Sequence, residues 1–210
     1  MTRSEARSGA GPRRTRHRAD RLGAPALGLI LATAGLLALS HGQEAHGASD
    51  PLAALKPGHW VQLEGPLEAD SAASCDELRI LTGDFVDDDW ALRGYAQTVD
   101  TLKNEITIAG IRAQVSENTA FDSPNPDFRG LADLTPGLLV EIEGTYLKNR
   151  RFLAHEVDDE TDEMSRHPWP RNRIRIVARV EKLDPRRRLV TAMGFVFQLT
   201  DKTRVRSVIE

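Results

Sequence analysis

Residues 131–144 read LADLTPGLLVEIEG, and residues 52–65 read LAALKPGHWVQLEG, so the same pattern occurs twice in the chain. In the later copy, Val140 and Ile142 alternate with glutamates, and the earlier copy alternates in a similar way. An alternation with a period of two is typical of a strand that buries one of its faces. Each copy therefore predicts a half-buried strand, and the pair of copies predicts an internal repeat.

Each of these strands has turn-forming residues on both sides. A Pro-Gly pair precedes the strand and sets the angle at which the chain enters it, because proline disfavours helix in the preceding residue and glycine tolerates positive φ. A glycine, Gly65 or Gly144, closes each copy. Glycine at this position predicts a turn, a bulge or a close approach of two backbones.

A second pair of stretches also repeats. Residues 95–121 align without a gap to residues 179–205, and the identical positions include the glycines Gly110 and Gly194. Both stretches predict a strand, a turn that contains aspartate, a second strand, a tight hairpin at the glycine, and a third strand.

The remaining segments show the same alternation between turn residues, and no segment resembles a long amphipathic helix. The predicted strands outside residues 131–144 are Trp60–Leu67, Glu77–Leu81, Trp90–Val99, Glu105–Ala109, Ile111–Val115, Phe152–Val157, Ile174–Leu183, Leu189–Met193 and Phe195–Thr200. An acidic, proline-containing linker is predicted over residues 158–170. The fold class that follows is all-β.

Residues 93–160 read as three strands, a short helical segment and two strands, which is the element order of the OB fold, a small five-stranded barrel. This region contains the motifs RGYAQTVD, ITIAG, ENTAF, LADLTPGLLVEIEG and FLAHEV. In these motifs the chain resembles a bacterial family of exported OB-like domains of unknown function. The resemblance covers most of residues 52–205, as one complete unit with half a unit on each side, and it implies no catalytic residues.

We therefore expect two small OB-like barrels, related by an internal repeat, after an N-terminal signal or anchor segment. The half-units can close in two ways. In one arrangement, tandem units occupy residues 49–124 and 125–210. In the alternative, residues 93–160 form one complete unit, and the terminal halves pair with each other around it.

The N-terminal segment has the marks of an export signal. An arginine-rich stretch, Met1–Asp20, precedes an uncharged run over residues 22–39 and then small residues. Cleavage after Gly42 or Gly47 would remove a signal peptide of about residues 1–48. The alternative is an uncleaved inner-membrane anchor at residues 22–39. Both interpretations place the folded part in the periplasm or the cell envelope.

Charge is unevenly distributed along the chain. The sequence has 28 lysines and arginines against 31 acidic residues, and residues 1–48 hold seven of the basic and three of the acidic ones, so the exported part has 21 against 28, or −7. Its C-terminal part is basic, whereas residues 84–89 and 158–163 are acidic. We expect these opposite charges to face each other, within one chain or between chains.

Several functions are disfavoured by the composition. Aromatic residues make up only 5% of the chain, and alternation places Phe195 and Phe197 on the core face, so no stacking platform for nucleic acid is expected. The single cysteine, Cys75, cannot form an intrachain disulfide and is expected to be buried. No catalytic triad, phosphate loop or metal-ligand spacing occurs, so we predict a non-enzyme without cofactor or metal site.

The candidate interaction surface consists of Trp60, its counterpart Leu139, and Trp169 in the linker. The first two are apolar at positions next to inward-pointing valines, which also suits cover for a barrel end or a contact between units. The predicted function is a non-catalytic module that binds or scaffolds an envelope protein or a glycan. The alternative is a periplasmic protein that binds a small ligand or a cation through its acidic loops.

Overall fold

The computed structural model describes residues 51–69, 71–126 and 128–209. The predicted signal or anchor segment, residues 1–48, lies outside these residues. The described residues belong to one compact unit. Among the described residues, no helix has the length and apolar character needed to cross a membrane.

The described chain is all-β, as predicted, with eleven strands, two 3₁₀ turns and one short helix. The 3₁₀ turns are Pro51–Ala54 and Leu131–Asp133, and the helix α1 is Thr161–Arg166. The strands are β1 (Trp60–Pro66), β2 (Ala72–Thr82), β3 (Trp90–Asp100), β4 (Glu105–Ile108), β5 (Ile111–Gln114), β6 (Ala120–Asp122), β7 (Leu139–Tyr146), β8 (Arg151–Asp159), β9 (Arg173–Asp184), β10 (Leu189–Ala192) and β11 (Phe195–Ile209).

Five strands in the middle of the chain form a closed β-barrel, here called the central barrel. Going round it, β3 pairs with β4, β4 with β5, β5 with β8, β8 with β7, and β7 with β3 again. All of these pairs are antiparallel except β5 with β8, which is parallel. Closure leaves no free edge within the ring itself.

The strands from the two ends of the described chain also pair in a ring, here called the terminal barrel. Its order is β9, β10, β11, β2, β1 and back to β9, and again only one pair, β11 with β2, is parallel. Strands β3 and β9 join the two barrels, with Leu92 opposite Ile176 at the middle of the contact. Neither of the tandem units predicted over residues 49–124 and 125–210 contains a complete ring, whereas the central barrel lies inside residues 90–159, close to the alternative limits 93–160.

The core follows the predicted alternation. The two repeated stretches, residues 52–65 and 131–144, present their apolar residues inward, since all of the following are fully buried: Val61, Leu63, Val140 and Ile142. Phe195 and Phe197 are fully buried as well, in agreement with the side predicted for them. The inward positions of these strands are therefore apolar.

The closing glycines mark close backbone approaches inside continuous strands. A Cβ on Gly65 would lie 1.8 Å from the carbonyl oxygen of Ser74, and one on Gly144 would lie 2.1 Å from that of Leu153. In the central barrel, the register shifts next to this glycine, between Glu143 and Gly144. Of the three predicted alternatives, the close approach occurs at both glycines.

Strand limits differ from the prediction where pairing is long-range. Strand β2 begins at Ala72 and β11 continues to Ile209, because the two run parallel along almost their whole length. Strand β6 was not predicted, and it exists through parallel pairing with β8. The predicted linker over residues 158–170 contains the end of β8 and the helix α1.

Candidate functional site

The outward side chains of β6, β8 and β7 form an acidic face on the central barrel. Register places the carboxylates in two rows across the three strands. One row runs from Asp122 through Asp158 to Glu141, and the other runs from Ala120 through Glu156 to Glu143. The acidic face is defined as Asp122, Glu141, Glu143, Glu156 and Asp158.

Like charges directly opposite one another on neighbouring strands are destabilising, so this face requires compensation. Arg93 supplies part of it, since its Nη1 lies 3.8 Å from Glu141 Oε2. Asp158 is incompletely compensated. Its Oδ1 is buried and accepts no hydrogen bond from any described residue. Burial and then the charges of its acidic neighbours raise the pKa of Asp158 to about 7.

Three members of the acidic face converge closely enough to share a cation. Carboxylate oxygens of Asp122, Glu156 and Asp158 all lie within 4.8 Å of one another. Oxygen ligands of this type suit a hard divalent cation such as Ca²⁺. No metal site was predicted from the sequence, because these three residues belong to two strands whose pairing joins distant segments.

The corresponding outward face of the terminal barrel is basic. Here β11 and β2 take the places that β6 and β8 take in the central barrel, and Arg204 lies opposite Glu77, with Arg206 opposite Arg79. Glu77 is buried and pairs with Arg79 at 2.7 Å and with Arg204 at 3.0 Å. The basic face is defined as Arg79, Arg204 and Arg206.

The ionisation of Glu77 reflects this surrounding charge. Burial works to raise its pKa, but Arg79, by hydrogen bond and charge, and then Arg204 and Arg206 lower the pKa of Glu77 below its ordinary value. Arg204 is exposed over 61% of its side chain although it pairs with Glu77. The basic face therefore remains available for contact with an anionic group outside the molecule.

The two faces carry opposite charge at matching positions. Asp122 and Asp158 in the central barrel stand where the terminal barrel has Arg206 and Arg79, judged by their registers with the neighbouring strands. Both faces also end in an edge. In the described part of the chain, β6 and residues 204–209 of β11 each pair with a strand on one side only.

Trp60 and Leu139 lie inside the molecule rather than on an exposed surface. Leu139 is fully buried, and Trp60 is only 8% exposed. The ring of Trp60 packs between Phe85 and Trp90, with centroid distances of 5.3 and 5.2 Å. These two positions therefore offer almost no surface to a partner, and Phe85 in the loop before β3 and Trp90 of β3 cover Trp60.

Trp169 sits in a cluster of arginines at the join between the barrels. Arg93, Arg175 and Arg173 lie 4.8, 5.2 and 5.5 Å from the centre of its ring. Its indole Nε1 donates to the carbonyl of Arg173 at 3.1 Å, and its own carbonyl accepts from the hydroxyl of Tyr95 at 2.7 Å. These contacts hold the segment before β9 against both barrels, and Trp169 is partly buried as a result.

The acidic segments make separate contacts with basic residues of the same chain. In the first, Asp87 pairs with Arg179 of β9 at 2.9 Å. In the second, Glu160 pairs with Arg93 at 3.3 Å. Asp159 accepts from the backbone nitrogen of Thr161 at the start of α1, at 3.0 Å. The exposed pair of Asp87 and Arg179 adds little stability.

Cys75 is buried, as expected, and is a free thiol. Burial raises the pKa of the Cys75 thiol to about 12. The thiolate, which is the reactive form, is therefore scarce at neutral pH.

Together, these features define an all-β protein with a closed β-barrel and oppositely charged outward faces. Residues 93–158 match the family described as Domain of unknown function (DUF5666). The match covers most of the central barrel and about a third of the chain, and it bears out the resemblance of this region to domains of unknown function. No curated protein and no solved structure matches the chain.

The acidic face is the feature that sequence reasoning missed. A signal for it exists in VEIEG and HEVDD, where acidic residues occupy the positions that alternate with inward ones. Alternation alone places Glu141 and Glu143 outward. It does not reveal that β6 and β8 bring Asp122 and Asp158 alongside them, because that depends on the pairing of segments far apart in sequence.

Proposed function

We propose that both barrels are OB-like and that they derive from one duplicated unit. Each ring has four antiparallel pairs and one parallel pair in the same order. The first strand of the terminal barrel along the chain, β1, corresponds to β7 rather than to β3, the first strand of the central barrel. Matching hydrogen bonds support the duplication. Thr119 Oγ1 donates to the carbonyl of Ala154, and Thr203 Oγ1 donates to the carbonyl of Cys75, both at 2.7 Å.

The function proposed is that of a non-catalytic binding and scaffolding module of the cell envelope, which engages a protein partner through its charged faces. The observation that carries this proposal is the opposite charge of two matching faces, each ending in an open strand edge. Edge strands pair readily with extended segments of other proteins. Flanking charge selects the partner by electrostatic complementarity. The export signal predicted at residues 1–48 supports the envelope location.

A pull-down from envelope extract tests this function. The bait is residues 46–210, beside a variant with Arg204→Glu and Arg206→Glu that inverts the basic face. A control variant, Lys182→Glu with Arg186→Glu, makes the same change of charge at exposed positions away from that face. We expect the bait and the control to retain the same protein and the basic-face variant to lose it. Equal retention by all three, or retention of glycan alone, would rule out this use of the basic face.

A second candidate function, cation binding, rests on the convergence of Asp122, Glu156 and Asp158 within 4.8 Å and on the buried, unpartnered Oδ1 of Asp158. A divalent cation would supply the charge compensation that the acidic face lacks. Calorimetric titration with Ca²⁺ should show saturable binding of about one ion per chain. Asp158→Asn should abolish that binding, and Asp84→Asn in an exposed loop should leave it unchanged. The absence of saturable heat with the unsubstituted protein would exclude the site.

A further inference from the structure

We infer that the protein associates head to tail with a second copy of itself, the acidic face of one molecule docking against the basic face of the next. This inference rests on the binding function proposed for the two faces, and it names their partner. It is carried by three features of the described residues: matched charge at two positions, open edges, and the close cluster of carboxylates Asp122, Glu156 and Asp158.

Charge complementarity is specific to the matched positions. Asp122 and Asp158 on one face correspond to Arg206 and Arg79 on the other, so charge is inverted at these two positions, whereas Glu77 stands where the acidic face has Glu156. Among the described residues, none of the arginines of the basic face forms an ion pair with Asp122, Glu156 or Asp158. Arg79 and Arg204 share the carboxylate of Glu77, and Arg206 forms no ion pair with a described residue, so positive charge is left over on the basic face.

The strand edges provide a direction for docking. Strand β6 presents one open side beside the acidic face, and residues 204–209 of β11 present one open side beside the basic face. A two-fold axis through either face would put like charges together. A head-to-tail contact avoids this and joins acidic to basic edges, which produces rings or open chains rather than closed dimers.

Asp158 explains why the acidic face favours a guanidinium group. Its Oδ1 is buried without a hydrogen-bond donor, and an unsatisfied buried acceptor is costly. Arginine donates in a planar fork that matches a carboxylate and keeps its charge under all ordinary conditions. An arginine from the basic face of a neighbouring molecule would pair with the exposed Asp122, which lies opposite Asp158, and would supply the missing positive charge.

Analytical ultracentrifugation of residues 46–210 tests the inference through a charge swap. The two variants are Asp122→Arg, which inverts the acidic face, and Arg206→Asp, which inverts the basic face; both positions are exposed, so folding is not at stake. At low salt we expect the unsubstituted protein to associate in a concentration-dependent way, each variant alone to remain monomeric, and an equimolar mixture of the two variants to associate again. Association should disappear in 1 M salt, where the Debye length is about 3 Å.

Three results would overturn the inference: a monomer at millimolar concentration in low salt, association that high salt leaves unchanged, or a mixture of variants that stays monomeric. The pull-down separates this failure from failure of the proposed function. If the bait retains a different protein through the basic face and does not self-associate, the function stands and the self-association is wrong. If neither experiment shows binding that depends on the basic face, both proposals fail.

Discussion

At the scale of single residues, Asp158 links the stability of the protein to pH. Its pKa is about 7 in the folded protein against an ordinary value of 3.8. Folding therefore takes up a proton between these pH values. The stability that comes from the neutral carboxyl is complete below pH 4 and is lost as the pH rises to about 7.

Asp158→Asn should accordingly stabilise the protein at high pH only. A shift of three pKa units corresponds to about 4 kcal/mol, and screening by solvent at this partly exposed group reduces the expected gain to about 1–2 kcal/mol. Urea unfolding at pH 8 should show this gain in the free energy of unfolding, and unfolding at pH 4 should show almost none. Asp84→Asn serves as the control. An equal gain at both pH values would show that charge is not its cause.

Thr119 and Thr203 make equivalent pairs of hydrogen bonds, but Thr119 is more deeply buried. The hydroxyl of Thr119, which is 9% exposed, donates to Ala154 and accepts from the backbone nitrogen of Ser116 at 2.9 Å. Thr119→Val keeps the shape of the side chain and leaves buried polar groups without a partner, at a cost of about 2 kcal/mol. The more exposed Thr203→Val should cost less, because water can replace the lost bonds. Urea midpoints of both variants measure the difference, and a reversed order would contradict this account.

At the scale of elements, the closing glycines allow paired strands to approach each other. Gly65→Ala would place a methyl group 1.8 Å from a backbone oxygen in β2, and backbone cannot move aside as a side chain can. We expect a loss of about 3 kcal/mol or more, or failure to fold. Gly130→Ala is the matched control, since nothing lies within 4 Å of its Cβ position. Thermal unfolding followed by circular dichroism should separate the two, and an unchanged Gly65→Ala variant would refute the close approach.

The segment that precedes β9 depends on Trp169. Trp169→Ala removes the ring that three arginines contact and the Nε1 bond to Arg173, so we expect a loss of about 2–3 kcal/mol. Trp169→Phe keeps an aromatic face and loses only the donor, so its cost should be about 1 kcal/mol. Urea unfolding provides both values. If the two variants lose the same free energy, the ring itself contributes nothing beyond its hydrogen bond.

Elements whose faces alternate were predictable, and elements that exist through distant pairing were not. Alternation placed Val61, Ile142 and Phe197 in the core correctly, because a side-chain period of two is a local property. It also made Leu139 look like an outward exception, although this residue is fully buried. The three-residue strand β6 has no period to read, and it is held by pairing with β8. The acidic face followed from that pairing and was out of reach for the same reason.

At the scale of the whole molecule, the terminal barrel is formed by strands that precede and strands that follow the central barrel in the sequence. Strands β1 and β2 can complete the terminal barrel only with β9 to β11, which lie some 90 residues further along the chain. The chain between β2 and β9, which contains the central barrel, is the loop that this pairing closes. A topology with so many distant pairs is expected to fold slowly, in milliseconds to seconds. We therefore expect the central barrel to form before the terminal barrel, because it needs no strand from the ends of the chain to close its ring.

Fragments of the chain therefore test the topology directly. Residues 86–162 contain β3, β4, β5, β7 and β8, and we expect this fragment to give dispersed amide signals in NMR and a cooperative thermal transition. It loses the strand pairing of Ala91–Arg93 with β9 and the side-chain contacts of Trp90 with Trp60 and of Tyr95 with Trp169, but no strand of its own ring. Fragments 49–124 and 125–210 each hold strands of two incomplete rings, so each should expose unpaired edges and remain unfolded or aggregate. Cooperative folding of either of these two fragments alone would mean that the strands pair within tandem halves, and the ring closures described above would then be wrong.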